Sequence, residues 1–485
     1  MWSPSFLIVI FLTFFSLLSC SDEEKNISNQ QKEIRVPYLE LNRSSKVKIA
    51  VIGGGIGGAS YCHFITQALG DQVDITVYEK SDRIGGRVKK ETLGGGLIEQ
   101  GATLIHSSNH YLQHIMKEHH LNRTIPHGGE GEEETLAIWD GKKFRLNTRR
   151  NKTFSSLQML WAYGNSIAQL QKVVKKALPK WNSVYDLLEE GHGFDSPSQL
   201  FKTIGLYDMT QKTSYNYFKE QGIGEKIVYE FVDCISRVNY HQDGNINAFT
   251  DIVSLAGAGL DGGKLFSVEG GNDLMIKNAL SSQNINLQLE SEVTSIQKLS
   301  EPNKTGHIIK TNIGTSDTFE IVVIACPLDL TNIHLPQYSV KRDRAYQTVH
   351  ANFIAGHINY KYFNDVGNQP QTIFTIEDDS IPFVSIAKTG YAPDWDLPIY
   401  KVFSRNPLSE EFVQSVFRNI NGQVHQEWEA YTVLSPMKQW PSFRLGNGLY
   451  YINAMESAIS AMETEAVAAR NVMNLSIAQL RNIRK

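Results

Sequence analysis

The most constraining feature of this chain is a stretch in which an apolar strand runs straight into glycines and the glycines run straight into a helix. Val47-Lys48-Ile49-Ala50-Val51-Ile52 has the length of a strand, and Gly53-Gly54-Gly55-Ile56-Gly57-Gly58 follows it directly. Residues 58–69 carry Cys62, Ile65, Ala68 and Leu69 at helical spacing, and Asp74-Ile75-Thr76-Val77-Tyr78 reads as a second strand. Strand, tight turn, helix and strand in this order make a βαβ unit, and such apolar strands belong in a parallel sheet covered by helices. Gly53, Gly55 and Gly58 stand in the G-x-G-x-x-G spacing. In this context the spacing has a mechanism: Gly53 permits the sharp turn, Gly55 lets backbone approach a pyrophosphate, and Gly58 lets helix and strand pack closely. The helix N-terminus adds free N–H groups and a partial positive charge. Glu79 ends the second strand, 26 residues after Gly53. A carboxylate there accepts hydrogen bonds from a ribose hydroxyl and repels a 2′-phosphate, which disfavours NADP.

The chain has 485 residues, too many for one compact core. The pattern predicts an α/β protein in which a Rossmann-like dinucleotide-binding domain is interleaved with a substrate domain of helices and a mixed β-sheet. Residues 46–125 form the first part of the binding domain. Residues 126–264 read as a mainly helical part of the substrate domain, with Leu157, Leu160, Trp161, Ile167, Leu170, Val174 and Leu178 on one stripe. Strand patterns return at 286–290, 293–297, 307–312 and 319–325, so residues 265–340 supply the second binding part. Residues 341–440 read as the substrate-domain sheet. Residues 441–485 supply the third binding part, a strand at 449–452 and a helix lined by Met462, Ala466, Ala469, Met473 and Leu480.

Residues 6–18 are almost wholly apolar and are followed by small and then acidic residues, the pattern of a secretory signal peptide over 1–20. A membrane anchor and a lipid-anchored Cys20 are the competing readings. Residues 21–45 are polar and read as a mobile leader. Cys62, Cys234 and Cys326 allow one disulfide at best, read best as small buried hydrophobes, and show no metal-ligand spacing, so no metal is expected. N-x-[ST] sequons at Asn26, Asn42, Asn122, Asn151, Asn303 and Asn474 are glycosylation sites if the chain is secreted. That route places it in the lysosomal lumen or outside the cell. The net charge of −4 lacks the basic field that a nucleic-acid partner requires. The acidic cluster Glu130-Gly131-Glu132-Glu133-Glu134 reads as a solvated loop.

Beyond Glu79, Arg83-Ile84-Gly85-Gly86-Arg87 and Glu99-Gln100-Gly101-Ala102 follow. Glu79 with this Arg-x-Gly-Gly-Arg run resembles the extended FAD signature of the amine-oxidase and glutathione-reductase-like flavoproteins. Gly101-Ala102-Thr103-Leu104-Ile105-His106, Arg237-Val238-Asn239-Tyr240, Asn247-Ala248-Phe249, Val268-Glu269-Gly270-Gly271-Asn272, Tyr450-Tyr451-Ile452-Asn453 and residues 456–463 resemble, in order, the prenylcysteine oxidase family. These motifs run from about residue 46 to 475. The resemblance implies FAD as cofactor. It places the Gly85-Gly86 backbone and Arg87 over the phosphates, the Val293 backbone against adenine, and Glu456, Ala461 and Met462 beside the flavin. A helix N-terminus aimed at the flavin stabilises its reduced, anionic ring.

The resemblance further implies oxidation of a prenylcysteine by oxygen to cysteine, an isoprenoid aldehyde and hydrogen peroxide. Membrane or lipoprotein association is compatible with so apolar a substrate. Hydride loss beside sulfur needs positioning and shielding rather than a strong base, so the site should be apolar and aromatic with few charges. His106, which could activate water, and Tyr240, in the substrate wall, are the catalytic candidates. Each has a plain structural alternative, a hydrogen-bonded histidine and a core tyrosine. Rival functions are a flavin amine or polyamine oxidase, a carotenoid-type desaturase, and a non-catalytic FAD protein with a lipid-carrying partner.

Overall fold

In the computed structural model, which describes residues 34–125, 135–148, 152–299, 306–364, 367 and 369–482, the first apolar run is the strand Val47–Ile52. All of it is buried except Lys48. It pairs in parallel with Val73–Tyr78 on one side and Ile321–Ile324 on the other. Ile285–Gln288 and Leu449–Tyr451 extend the sheet outward in parallel, and Arg444–Gly446 closes one edge antiparallel. The sheet thus gathers strands from three distant parts of the chain. Helix Ile56–Leu69 covers it with Tyr61, Phe64 and Ile65 fully buried, and the C-terminal helix Met462–Asn482 packs along that helix. A meander of Val293–Lys298, His307–Thr311 and Gly314–Phe319 sits beside the sheet.

The second sheet has seven strands in the order Phe417–Thr432, Tyr346–Ile358, Leu397–Ser404, Ser385–Ala392, Thr372–Thr375, Leu136–Trp139 and Phe144–Asn147. All pairs are antiparallel except Thr372–Thr375 with Leu136–Trp139. Helix Asp233–Tyr240 packs on Thr372–Thr375 and on helix Ala248–Gly257, which packs in turn on Ser166–Glu189. Among the described residues no helix is long and apolar enough to cross a membrane.

Three expectations change. Residues 126–264 are not helical throughout, because 136–139 and 144–147 are strands of the second sheet. The predicted stripe from 157 to 178 is two helices, Lys152–Tyr163 and Ser166–Glu189, parted at Gly164 with φ +58°, and Trp161 is 92% exposed rather than packed. Residues 34–45, read as part of a mobile leader, are tied down. Ile34 and Leu41 are buried, Leu39 N–H donates to Ala68 O at 2.7 Å, and Leu41 N–H donates to Gln72 Oε1 at 2.5 Å. The signal segment 1–20, the rest of the leader, Asn26, Asn151, Asn303 and the acidic cluster at 130–134 lie outside the described residues.

Candidate cofactor and substrate site

The glycine loop has one open side. A Cβ on Gly53, where φ is +112°, would lie 2.6 Å from Ala325 O, and one on Gly58 would land on Gly53 O. These two glycines are therefore fixed by the turn and by helix–strand packing, as the spacing predicts. A Cβ on Gly55 would meet nothing nearer than Gly85 O at 3.9 Å. Gly55 thus presents bare backbone to free space, the cradle a pyrophosphate requires. The second glycine pair forms the wall beside it. Gly85 N–H donates to Gly54 O at 2.9 Å, Gly55 and Gly85 form a parallel bridge, and a Cβ on Gly86 would touch Gly55 Cα at 3.6 Å.

Glu79 is buried at the mouth of this cradle. Its Oε2 accepts the Gly54 N–H and its Oε1 the Ser81 N–H, each at 2.9 Å. The carboxylate therefore fastens the glycine loop as well as offering its remaining lone pairs to a ribose. Glu79 O also accepts Ser291 N–H, which draws the start of the strand at Val293 toward the same end of the site. Arg83 donates to Ile84 O and Gly86 O and stiffens the second glycine turn.

Arg87 and Glu456 form an ion pair. Arg87 also donates to Ala430 O at 2.6 Å, while the Glu456 carboxylate takes the Tyr346 hydroxyl at 2.6 Å and the Asn453 amide at 3.2 Å. Glu456 is fully enclosed and Arg87 keeps 30% of its side chain exposed, so the guanidinium is the open member of the pair. Burial pushes the Glu456 carboxyl up, but the charges of Arg87 and Arg344 outweigh it and hold the group below its usual range. Residues 460–464, which open the C-terminal helix, line the adjoining cavity. The Ala461 N–H there is already taken by Thr464 Oγ1 at 3.1 Å, so Ala461 has no N–H to offer a cofactor.

That cavity has a volume of about 600 Å³, the range of a small-ligand pocket. Its wall is mainly apolar, with Leu178, Trp181, Phe249, Phe353, Phe403 and Tyr431 among its residues. Tyr240 lies in the wall as expected, packed edge-on to Tyr431 with ring centroids 5.2 Å apart. His106 also lines the cavity. Its Nδ1 accepts the Ser108 N–H at 3.1 Å, and its Nε2 lies 3.3 Å from Asp261 Oδ2 with Gly263 pressed against it. Nδ1 is thus engaged, while Nε2 is buried beside Asp261 without a hydrogen bond, and the ring packs against the 261–264 turn. Burial alone would raise Asp261, yet the His106 contact and the Gly263 N–H hold its carboxyl below its usual range.

The expectation of few charges needs one correction. Lys401 and Glu99 line the cavity. Burial pulls the Lys401 ammonium down to about 8 and pushes the Glu99 carboxyl up to about 7. Neither was legible as a site residue. Glu99 belongs to the run Glu99-Gln100-Gly101-Ala102, but Lys401 sits in a strand whose register alone turns it inward. Among the sequons, Asn42 and Asn122 are exposed. Asn474 is buried, with its amide donating to Leu188 O at 2.8 Å and His192 O at 2.7 Å, so a folded chain offers no acceptor there.

Comparison with known proteins fits this geometry. The family model described as prenylcysteine lyase matches residues 146–484, and one described as an NAD(P)-binding Rossmann-like domain matches residues 51–119. A farnesylcysteine lyase of Arabidopsis thaliana is 30% identical over 454 residues, covering 90% of this chain and 89% of its own length. A human prenylcysteine oxidase 1 is 28% identical over 464 residues, covering 90% and 89%. Among solved structures, the cyclohexylamine oxidase of Brevibacterium oxydans superposes with a TM-score of 0.60 at 15% identity, over 91% of this chain and all of that one. That likeness establishes the shared fold. With a family model spanning most of its length and a relative at this identity over nine-tenths of it, the chain belongs to the prenylcysteine lyase family.

Proposed function

We propose that this chain is an FAD-dependent oxidase that cleaves the thioether of S-prenylated cysteine: hydride leaves the carbon attached to sulfur, water adds there, the C–S bond breaks to release cysteine and an isoprenoid aldehyde, and the electrons pass to oxygen as hydrogen peroxide. One observation carries the reading: the C-terminal segment that packs on the glycine loop, with Ile452 and Glu465 against Gly57, also sends residues 460–464 into the wall of an apolar cavity of about 600 Å³. Flavoproteins and lipid-tailed substrates need these two features side by side. The residues fit the cofactor. Bare backbone at Gly55, Gly85 and Gly86 receives the diphosphate, Glu79 receives a ribose, and the Arg87 guanidinium is open beside them. FAD, when bound, supplies a two-electron acceptor for hydride.

The chain's own contribution is placement and shielding. Trp181, Phe249, Phe353 and Phe403 surround the prenyl tail and keep water out of the hydride path. Tyr240 and Tyr431 form an aromatic face against which a sulfur-stabilised cation is favoured. No base is required before hydride leaves, so the step does not depend on His106. The names of the relatives, farnesylcysteine lyase and prenylcysteine oxidase, support the same substrate class. The amine oxidases share the fold, but the Lys401 ammonium in this cavity favours a substrate that brings an anionic group and disfavours one, such as putrescine, whose only charges are cationic. The apolar segment at 6–18 and the exposed sequons at Asn42 and Asn122 support entry into the secretory route and residence in the lysosome or outside the cell.

The test is to supply purified protein with farnesylcysteine or with putrescine and follow peroxide and aldehyde. Stoichiometric cysteine, aldehyde and peroxide from farnesylcysteine alone support the proposal. Peroxide from putrescine alone would establish an amine oxidase, and bound flavin with no turnover of any thioether would establish a non-catalytic FAD protein.

A further inference from the structure

Among the described residues that line the cavity, Lys401 is the single lysine or arginine. It lies on strand Leu397–Ser404 opposite Phe353 and is 8% exposed. An ammonium has three donors to satisfy. The hydrogen bond it makes is to Glu99 O, a backbone carbonyl, at 3.2 Å. Its ammonium also lies over two ring faces, with Phe403 at 4.6 Å and Phe353 at 5.4 Å from Nζ to ring centroid. The nearby Glu99 carboxyl does not neutralise it well. Its Oε1 is taken by the Asn272 N–H at 2.7 Å, its Oε2 is buried without a partner, and burial pushes it toward the protonated form. An ammonium buried against two aromatic rings without a hydrogen-bonded carboxylate is costly to the fold, and such groups mark sites where a ligand brings the missing charge.

Resting on the function proposed above, we infer that Lys401 is the specificity-determining residue that seats the α-carboxylate of the free amino acid carrying the prenyl group. The chemistry of that substrate class offers an anion where one is wanted. Its only anionic group is the carboxylate, separated from the reacting carbon by sulfur, Cβ and Cα. Fixing the carboxylate on Lys401 therefore fixes the thioether within the same cavity and leaves the tail to the apolar wall. A prenylated residue whose carboxyl is esterified lacks the charge. The site thus selects a prenylcysteine with a free carboxyl group over its ester.

The test compares farnesylcysteine with its methyl ester at about pH 6, where both Lys401 and the substrate carboxylate are charged. Wild-type enzyme should prefer the acid by roughly 30-fold or more in kcat/KM, carried mainly by KM. Lys401→Met should lose that factor on the acid and almost nothing on the ester, and Lys401→Arg should restore part of it. Losing a buried charge to an apolar residue of similar length relieves desolvation, so Met should keep FAD content and Tm. Equal use of acid and ester by the wild type would overturn the assignment without any variant. So would a Lys401→Met that lowers kcat alike on both substrates, since that is the signature of a proton relay or a structural residue. If the wild type oxidises neither compound, the prenylcysteine reading itself fails, and Lys401 fails with it.

Discussion

At the scale of single residues, the glycines of the loop divide by what surrounds them. Gly55 faces open space, whereas Gly58 is wedged against Gly53. Gly55→Val should therefore give a folded protein without flavin, while Gly58→Ala should destabilise the fold itself. Flavin content and Tm of the two variants, measured together, check this, and flavin-replete Gly55→Val would contradict it. Glu79 has two duties, so Glu79→Ala should weaken FAD retention and also leave the buried Gly54 N–H unpaired, a loss of about 1–3 kcal/mol. A drop in FAD affinity with unchanged apo-protein stability would show that the anchor on the loop is dispensable.

At the scale of elements, helix Ala248–Gly257 is pinned to helix Asp233–Tyr240 by Asp251, which accepts a hydrogen bond from Ser236 and leaves Oδ2 buried without a partner. Burial pushes its carboxyl up to about 8. A carboxyl raised in the folded state contributes stability that is complete below its unfolded value near 3.9 and is lost as pH rises through about 8. Asp251→Asn imitates the protonated form at every pH. Between pH 5 and about 8 the stability of the wild type relative to Asp251→Asn should fall, at most by about 1.4 kcal/mol per pH unit, and then level off. Thermal melts across that range test it, and a constant gap between the two proteins would refute the raised value.

The same scale explains what the sequence made legible. The βαβ unit and its cradle could be read because every residue that builds them lies within 47–87. The four-residue strands at 136–139 and 144–147 could not, since they join a sheet whose next strand, 372–375, lies more than two hundred residues further on. Lys401 was hidden for a related reason, its burial being set by pairing with Phe353 and Ala387. His106 was placed correctly in the cavity, but nothing nearby in the sequence showed that Asp261 and Gly263 close on its ring.

At the scale of the whole molecule, the first sheet and its cover join three distant stretches of chain. Glu79 O takes the Ser291 N–H, Ile452 and Glu465 lie against Gly57, and the C-terminal helix packs on helix Ile56–Leu69. FAD should therefore stabilise the chain as one unit, by about 2.7 kcal/mol at a free concentration a hundred times Kd, seen as a single raised melting transition. Two transitions with only one responding would show that the domains melt apart. For secreted material, peptide mapping should find glycan on Asn42 and Asn122 and none on Asn474, whose amide is bonded inside the fold. Occupancy at Asn474 would mean that this packing is wrong. The most direct measurement is an absorbance spectrum of the purified protein before and after anaerobic farnesylcysteine. A bound-flavin spectrum that bleaches on addition and returns with air is the predicted result. A well-folded sample that is colourless and takes up no FAD, or flavin bands indifferent to the thioether, would contradict it.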